Sequence, residues 1–504
     1  VGENDKDEQI STSGHLVDTW VYDNFSSPAM QNFIPTTYEG YNGQIPSNAS
    51  TYMIYQEGIY VGYRYFETIP DADKKRNKAE GIEKDTFKDK TVVLTNDIDL
   101  TGVIWTPIGS SMYDHAPDDP NTKMFEGTFD GTYHIINGLS SKDYLALPED
   151  ISSGEHSYGL FGYAYGASFK NFNLTNVDIH CSGDAGADGS GVAAAIGFYV
   201  VKDGAQSEID NVNLVSGKVQ ATNNMGGIIG YMETNDSGLD IDITIKNCTN
   251  SADVTTDARE AGGILGLFQN GSESKGSLKF INCVNNGNIT AENGANNAVA
   301  GGILGKDQSY GYYEYEFFIH FESCINNGKI TANGNSSSEN HAAGMGTSFY
   351  TRGAPVVMNN CVNTGDITIT GTSKENFISG LFAHPQMEEN NDEYGIVQNS
   401  SYSTGTLTYP TTSTVIIIYD INGGTGVEAA TRSNTNANVK VGAGTQVTRE
   451  GYKLVGWNTK MDGTGTHYEL GSTITPSASL ILYAEWRKVL FHKDILVQLS
   501  NQLY

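Results

Sequence analysis

Short glycine-led apolar segments recur through the middle of the chain: GLFG at 159, AAIG at 194, GGIIG at 226, GGILG at 262 and 301, AGMG at 343 and SGLFA at 379. Aligned on Gly159, Ala194, Gly227, Gly263, Gly302, Gly344 and Gly380, they return every 33 to 42 residues or so, roughly the period of stacked supersecondary units. Most are followed by an Asn-rich turn and a short β-type run, as in NCVNNGNITAE at 282–292. A unit this small cannot bury its apolar face alone, so its neighbours must stack on it. The repeat therefore predicts a mainly β fold, a parallel β-helix or solenoid of about seven repeats over 89–410.

Each unit reads as three strands, GGILGLF, SLKFINC and NITAE, joined by turns. Gly226, Gly227, Gly262 and Gly263 are expected to allow a tight corner and close stacking of coils. Ile228, Ile264 and Ile303 are expected to point inward onto one another. Asn247, Asn282 and Asn360 precede a cysteine, and NNG or NTG follows at 285–287, 326–328 and 363–365. Asn and Gly tolerate the left-handed conformation that a corner needs, and Asn side chains in register bond to one another along the stack. Cys248, Cys283, Cys324 and Cys361 share one repeat position, which reads as a ladder of small buried thiols. No CxxC or CxxH spacing supports a metal centre, and no cofactor is expected.

Net charge narrows the partners. With 59 Asp+Glu against 30 Lys+Arg, a formal charge of -29 repels phosphate backbones and anionic membrane surfaces. Nucleic acid is therefore excluded as a partner, and no segment approaches the length of a membrane span. The opening VGENDKDEQI is polar, without the apolar core of a signal peptide, and reads as the start of a fragment, so export has to be argued from domain type.

Ahead of the repeats, KTVVLTNDIDLTGVIWTPIGSS (90–111) and MFEGTFDGTYHIINGL (124–139) show β-type alternation broken by DG and NG turns. They resemble the opening coils of parallel β-helices in bacterial surface proteins. Trp105, Pro107, Ile108 and Phe129 are then expected to cap the first rung. The units themselves resemble the GLUG repeat of bacterial surface and secreted proteins. Some relatives carry such repeats beside a zinc-peptidase domain, but no HExxH occurs here and the His residues are scattered.

Two flanking stretches carry other resemblances. Gly14, Asp18, Thr19, the QNF at 31–33, and the block Tyr55, Glu57, Gly58, Ile59, Val61, Gly62, Tyr63, Arg64 and Tyr65 are similar to part of the C-terminal α/β domain of glycoside hydrolase family 3. Residues 1–70 thus read as an incomplete α/β segment. Glycoside hydrolysis needs a pair of carboxylates. Neither the nucleophile nor the acid/base motif of that family is present, and Glu57 with Arg64 reads as a structural ion pair. A charged linker spans 71–88. After the repeats, the NGG at 422–424, GYKLVGW at 451–457, DGTGTHY at 462–468, Gly471 and LYAEW at 482–486 resemble the Listeria–Bacteroides, or internalin-type B, repeat. That resemblance implies a small β-grasp-like module over 411–487 with Trp457 and Trp486 in its core. Residues 488–504 read as a short helix or an arbitrary end.

These parts add up to a non-catalytic extracellular or cell-surface scaffold of a bacterium that displays loops to a glycan or a cell-surface protein. The alternative is an accessory region of a family 3 β-glucosidase-like hydrolase whose barrel lies outside this chain. DQSYGYYEYEF (307–317) supplies the candidate ligand-binding residues Tyr310, Tyr312, Tyr313 and Tyr315. Rings among carboxylates suit the C–H faces and hydroxyls of sugars, although the same rings could instead cover a neighbouring coil. No catalytic and no metal-binding residue is assigned; the Asp/Asn run NDID at 96–99 lacks a spaced calcium-loop pattern.

Overall fold

The computed structural model describes residues 2–3, 9–10, 86–103, 105, 107–109, 124–141, 157–181, 191–222, 224–234, 237–257, 260–271, 274–293, 297–309, 317–335, 339–348, 356–371, 375–383, 396–410 and 414–489. The chain divides into two compact units, Val1–Lys88 and Asp89–Tyr504. In the first, Gly2–Glu3 pairs antiparallel with Gln9–Ile10. The glycosidase-like block and the 488–504 segment fall outside the described residues, apart from Lys488 at the end of the last module's strand and Val489.

The second unit is a parallel β-solenoid. Each coil contributes to four ladders. Ladder I stacks Gly191–Ala193, Asn224–Gly226, Glu260–Gly262, Val299–Gly301, Glu339–Ala343 and Glu375–Ser379. Ladder II is a 7-stranded sheet running from Phe161–Tyr165 through Leu265–Asn270 and Leu304–Ser309 to Phe382–Ala383. Ladder III starts at Thr128–Asn137 and proceeds through Gln206–Leu214, Lys275–Ile281 and Phe317–Glu322 to Ile396–Asn399. Ladder IV, again 7-stranded, runs from Val177–Cys181 to Leu407–Thr408. Ladder III and IV strands alternate in burial, as in Asp240–Lys246 and Val177–Cys181, with one face on the core and one in water. Ladders I and II are buried on both faces, which is why their sequences run apolar and small without alternation.

Four ladders replace the three expected, because GGILGLF is not one strand. It breaks at Gly263 and Ile264 into Glu260–Gly262 and Leu265–Asn270. A Cβ on Gly262 would overlap the Leu265 carbonyl, so this coil needs glycine where the chain doubles back, although Ala193, Ala343 and Ser379 stand at the same register position in other coils. Ile228, Ile264 and Ile303 are fully buried as expected. They stack through Ile228 N donating to Ile264 O at 3.2 Å and Ile264 N to Ile303 O at 3.0 Å.

In the asparagine-rich turn the asparagines take the expected roles and the glycines a different one. Left-handed backbone falls on Asn247, Asn282 and Asn360 (φ 53, 52 and 54°), with Ser323 and Ser400 serving in other coils. Gly287, Gly328 and Gly365 are required instead by crowding: a Cβ on each would overlap a carbonyl of the preceding coil. The first Asn of each NNG or NTG forms a buried column. Asn250 Nδ2 donates to Asn285 Oδ1 at 2.8 Å, Asn285 to Asn326 at 2.7 Å and Asn326 to Asn363 at 2.7 Å, as anticipated. The second proton of each amide goes to a backbone oxygen two residues on, at 2.9 Å for Asn285 to Gly287. These amides lie directly against Gly227, Gly263, Gly302 and Gly344.

Both ends are closed. At the N-terminal end Trp105 is buried and its Nε1 donates to Gly159 O at 3.1 Å, and Pro107 is buried as well. Phe129 meets Phe161 at 5.1 Å and Phe172 at 5.3 Å, edge-on, in an aromatic plug that realises the expected cap. At the other end the strand Thr414–Asp420 joins ladder III: Ile421 N donates to Gln398 O at 3.0 Å, and Gln398 and Asp420 are in register. The same strand lies between Thr431–Asn434 (antiparallel) and Leu480–Lys488 (parallel), so the last module continues the solenoid sheet. First and last strands paired in parallel fit the β-grasp-like expectation, and the described residues of the module contain no helix. Trp457 is fully buried, with Nε1 on Gly442 O at 2.9 Å. Trp486 is only half-buried: it lies at the rim of that core, its Nε1 on Ile421 O at 3.0 Å, in space left by Gly424.

Candidate functional site

Connections between ladders differ in how freely they vary. From ladder I to ladder II the corner is always the same tight turn: Gly226 to Ile229, Gly262 to Leu265, Gly301 to Leu304, Ala343 to Gly346. From ladder II to ladder III the gap grows along the stack. It is shortest between Tyr165 and Ser168, wider between Ser309 and Phe317, and widest between Ala383 and Ile396. Chain length is free to change on this rim because its ends are held by strands whose hydrogen bonds are already made.

Tyr310, Tyr312, Tyr313 and Tyr315 belong to the rim connection after Ser309 and lie outside the described residues, whereas both of its feet are described. At the first foot stands Asp307, a buried carboxylate in the register column of Tyr199, Met232 and Phe268. Its Oδ1 accepts Ser309 N at 3.0 Å and Ser309 Oγ at 2.5 Å, and its Oδ2 accepts Ser348 Oγ at 3.3 Å. A carboxyl group this deep needs hydrogen-bond partners, and it receives them. At the second foot Phe317 stacks on Phe268 with centroids 5.6 Å apart. Both ends of this connection are thus held in the stack.

Beside it the interior turns ionic. Lys306 Nζ is 2.7 Å from Glu260 Oε1, with both side chains 10% exposed. His341, one coil beyond Val299 in the Glu260 column, is fully buried and 3.5 Å from Glu339. Burial, with the Lys306 charge behind it, holds the His341 imidazole below the usual histidine value. Sequence reading missed Glu260, Lys306, Asp307 and His341. The signal was present, since GGILGLF at 262–268 becomes GGILGKD at 301–307.

The remaining sequence candidates take other roles. The carboxylates of NDID do not converge: Asp97 accepts Ile135 N at 2.8 Å, and Asp99 accepts Thr101 Oγ1 at 2.6 Å and Asn137 Nδ2 at 2.9 Å. Among the described residues no group of three or more His, Cys, Asp or Glu is placed to hold a metal ion. The four laddered cysteines and Cys181 are free and buried. Among the described residues no helix is long and apolar enough to cross a membrane.

A parallel β-solenoid with a loop-bearing rim, closed by a small β module, is the class these features define. Residues 416–485 match the family model of the Listeria-Bacteroides repeat domain. No curated protein matches the chain. Among solved structures, that of a proposed immunoglobulin A1 protease from Bacteroides ovatus is similar at 21% identity, covering 67% of this chain and 81% of that one, with a TM-score of 0.40.

Proposed function

We propose that the protein is a non-catalytic display scaffold of the bacterial surface or extracellular space, its rim loops binding a glycan. The single observation behind this reading is the division of labour between corner and rim. The corner, amide and thiol columns are internally satisfied and repetitive, whereas length varies in the connections from ladder II to ladder III, where it reaches its widest between Ala383 and Ile396, and in those from ladder IV to ladder I, as between Cys181 and Gly191. Solenoids with that division present extended binding surfaces. The Listeria-Bacteroides repeat at 416–485 supports the extracellular setting, and the GLUG-like units are read the same way. Tyr310, Tyr312, Tyr313 and Tyr315 are the contact residues of this proposal, since exposed tyrosine offers a flat face and a hydroxyl together.

A glycan array probed with the full chain tests it. Binding that is lost when Tyr310, Tyr312 and Tyr313 are together replaced by Ala supports the reading; the same binding in the variant, or none in either, overturns it. The glycosidase alternative rests on 13–68 and makes a different prediction, turnover of an aryl β-glucoside that a single carboxylate substitution abolishes.

A further inference from the structure

Glu260 opens a ladder I strand, and Lys306 lies in the ladder II strand one coil further on. Their contact, Nζ to Oε1 at 2.7 Å, is enclosed. The ladder II column that holds Lys306 runs Phe198, Tyr231, Leu267 before it, and Glu260 is followed in its own column by Val299. Low-dielectric walls of this kind make two separated charges expensive, so the two groups are held in contact. The other carboxylate oxygen, Oε2, is buried and accepts no hydrogen bond among the described residues.

We infer that Lys306 and Glu260 condense into a side-chain amide, an isopeptide bond that staples consecutive coils. The reaction balances without an oxidant or cofactor. The ammonium first gives one proton to the carboxylate. The freed amine lone pair then forms a bond from Nζ to Cδ, and the C=O electron pair moves onto oxygen. As that carbonyl re-forms, the C–O bond to the other oxygen breaks, and the oxygen leaves as water with a second Nζ proton. One N–H and one C=O remain: Oε1, which touches Nζ and takes both protons, is the oxygen expelled, and Oε2 stays as the amide carbonyl oxygen. Held contact supplies the effective concentration that a bimolecular amidation in water lacks. None of this depends on the glycan reading.

Intact-mass measurement of the denatured full chain tests the bond. The expected mass is one water below that of the expressed sequence. A tryptic digest should contain a branched peptide joining 260–275 to 280–329, uncut at Lys306. The Lys306→Arg variant keeps the charge pair but cannot condense, so it should regain the full mass and unfold at lower denaturant concentration. A wild-type chain of full mass, with linear peptides ending at Lys306, overturns the inference and leaves an ion pair only. A mass deficit that persists in Lys306→Arg overturns it as well, since the lost water would then come from elsewhere.

Discussion

The early and late coils fill the same positions with different chemistry. One ladder III column reads Ile136, Leu174, Leu214 and then Asn250, Asn285, Asn326, Asn363 before ending at Ser403. Two residues earlier the chain places Phe172 and Val212, then Cys248, Cys283, Cys324 and Cys361. At the corner facing this column the early coils place Gly159 and Ala194, and every asparagine faces a glycine, Gly227, Gly263, Gly302 or Gly344. Apolar side chains reward burial in almost any register. A buried amide column is satisfied only when each coil sits one step below the last, since a slip would leave every amide without its partner. The late coils thus give up some apolar burial for register, in the same stretch where the rim loops lengthen and a fixed base matters most.

Substitution at the glycine column should break the late pattern most severely. A Cβ on Gly263 would overlap the Gly302 carbonyl and press on the Asn285 amide. Gly263→Ala is expected to cost about 3 kcal/mol, the upper end of overpacking, read by urea denaturation. A loss well under 1 kcal/mol would mean that glycine and alanine corners are interchangeable and that the coupling to asparagine is absent. Next is Asn285→Leu, which transplants the residue of Leu214 into a late coil. It removes the donor to Asn326 and to Gly287 O and the acceptor of Asn250, so a cost of about 2–3 kcal/mol is expected despite the added apolar surface. Unchanged stability would show that the column supplies packing only.

Much of this was legible because repetition exposes a column as a recurring letter. The glycines, the Ile row, the Asn column and the buried thiols could be read from position alone, and so could the aromatic cap. Glu260, Lys306, Asp307 and His341 were hidden for the opposite reason: each departs from the repeat, and a search for matches passes over departures. The junction was hidden too. The period stops near 411, yet the sheet continues through Gln398 and Asp420, because backbone pairing needs register and no shared side-chain pattern. The split of GGILGLF depended on how closely Gly262 approaches Leu265, a tertiary fact. The candidate tyrosines were read from composition, with no structure beneath the reading.

Acid should separate the ionic coils from the junction. Burial depresses the His341 value in the folded chain below 6.5, so its contribution is complete above 6.5 and is lost as pH falls from there through the folded value. Asp420 is displaced the other way: burial raises it above 3.8 despite donors from Ser401 N at 2.8 Å, Asn422 N at 2.7 Å and Gln398 Nε2 at 3.1 Å. Its contribution is complete below 3.8 and is lost as pH rises through the folded value. Denaturation midpoints measured on either side of 6.5 should therefore drop on the acid side. His341→Phe, borrowing Phe377 from the next coil, should flatten that drop, whereas Asp420→Asn should leave it in place. If the drop survives His341→Phe, the acid sensitivity resides elsewhere.

The smallest effect is expected at the thiol column, and it isolates what the amide column does. Cys283 is fully buried, with Sγ 3.4 Å from Ile245 O, and burial raises its thiol well above the ordinary value, which keeps it protonated and unreactive. A thiol of this kind behaves as a small hydrophobe with a weak donor. Cys283→Val installs the residue of Val212 from the early coils. The change nearly conserves volume and strands no strong polar group, so it should cost less than about 1.5 kcal/mol. Asn285, two residues away in the same coil, is predicted to be costlier to replace by an aliphatic residue. The two measured side by side decide whether the late coils are held by hydrogen-bonded register or by packing alone. Equal losses at 283 and 285 would favour packing, and the contrast between early and late coils would then be one of composition without consequence for stability.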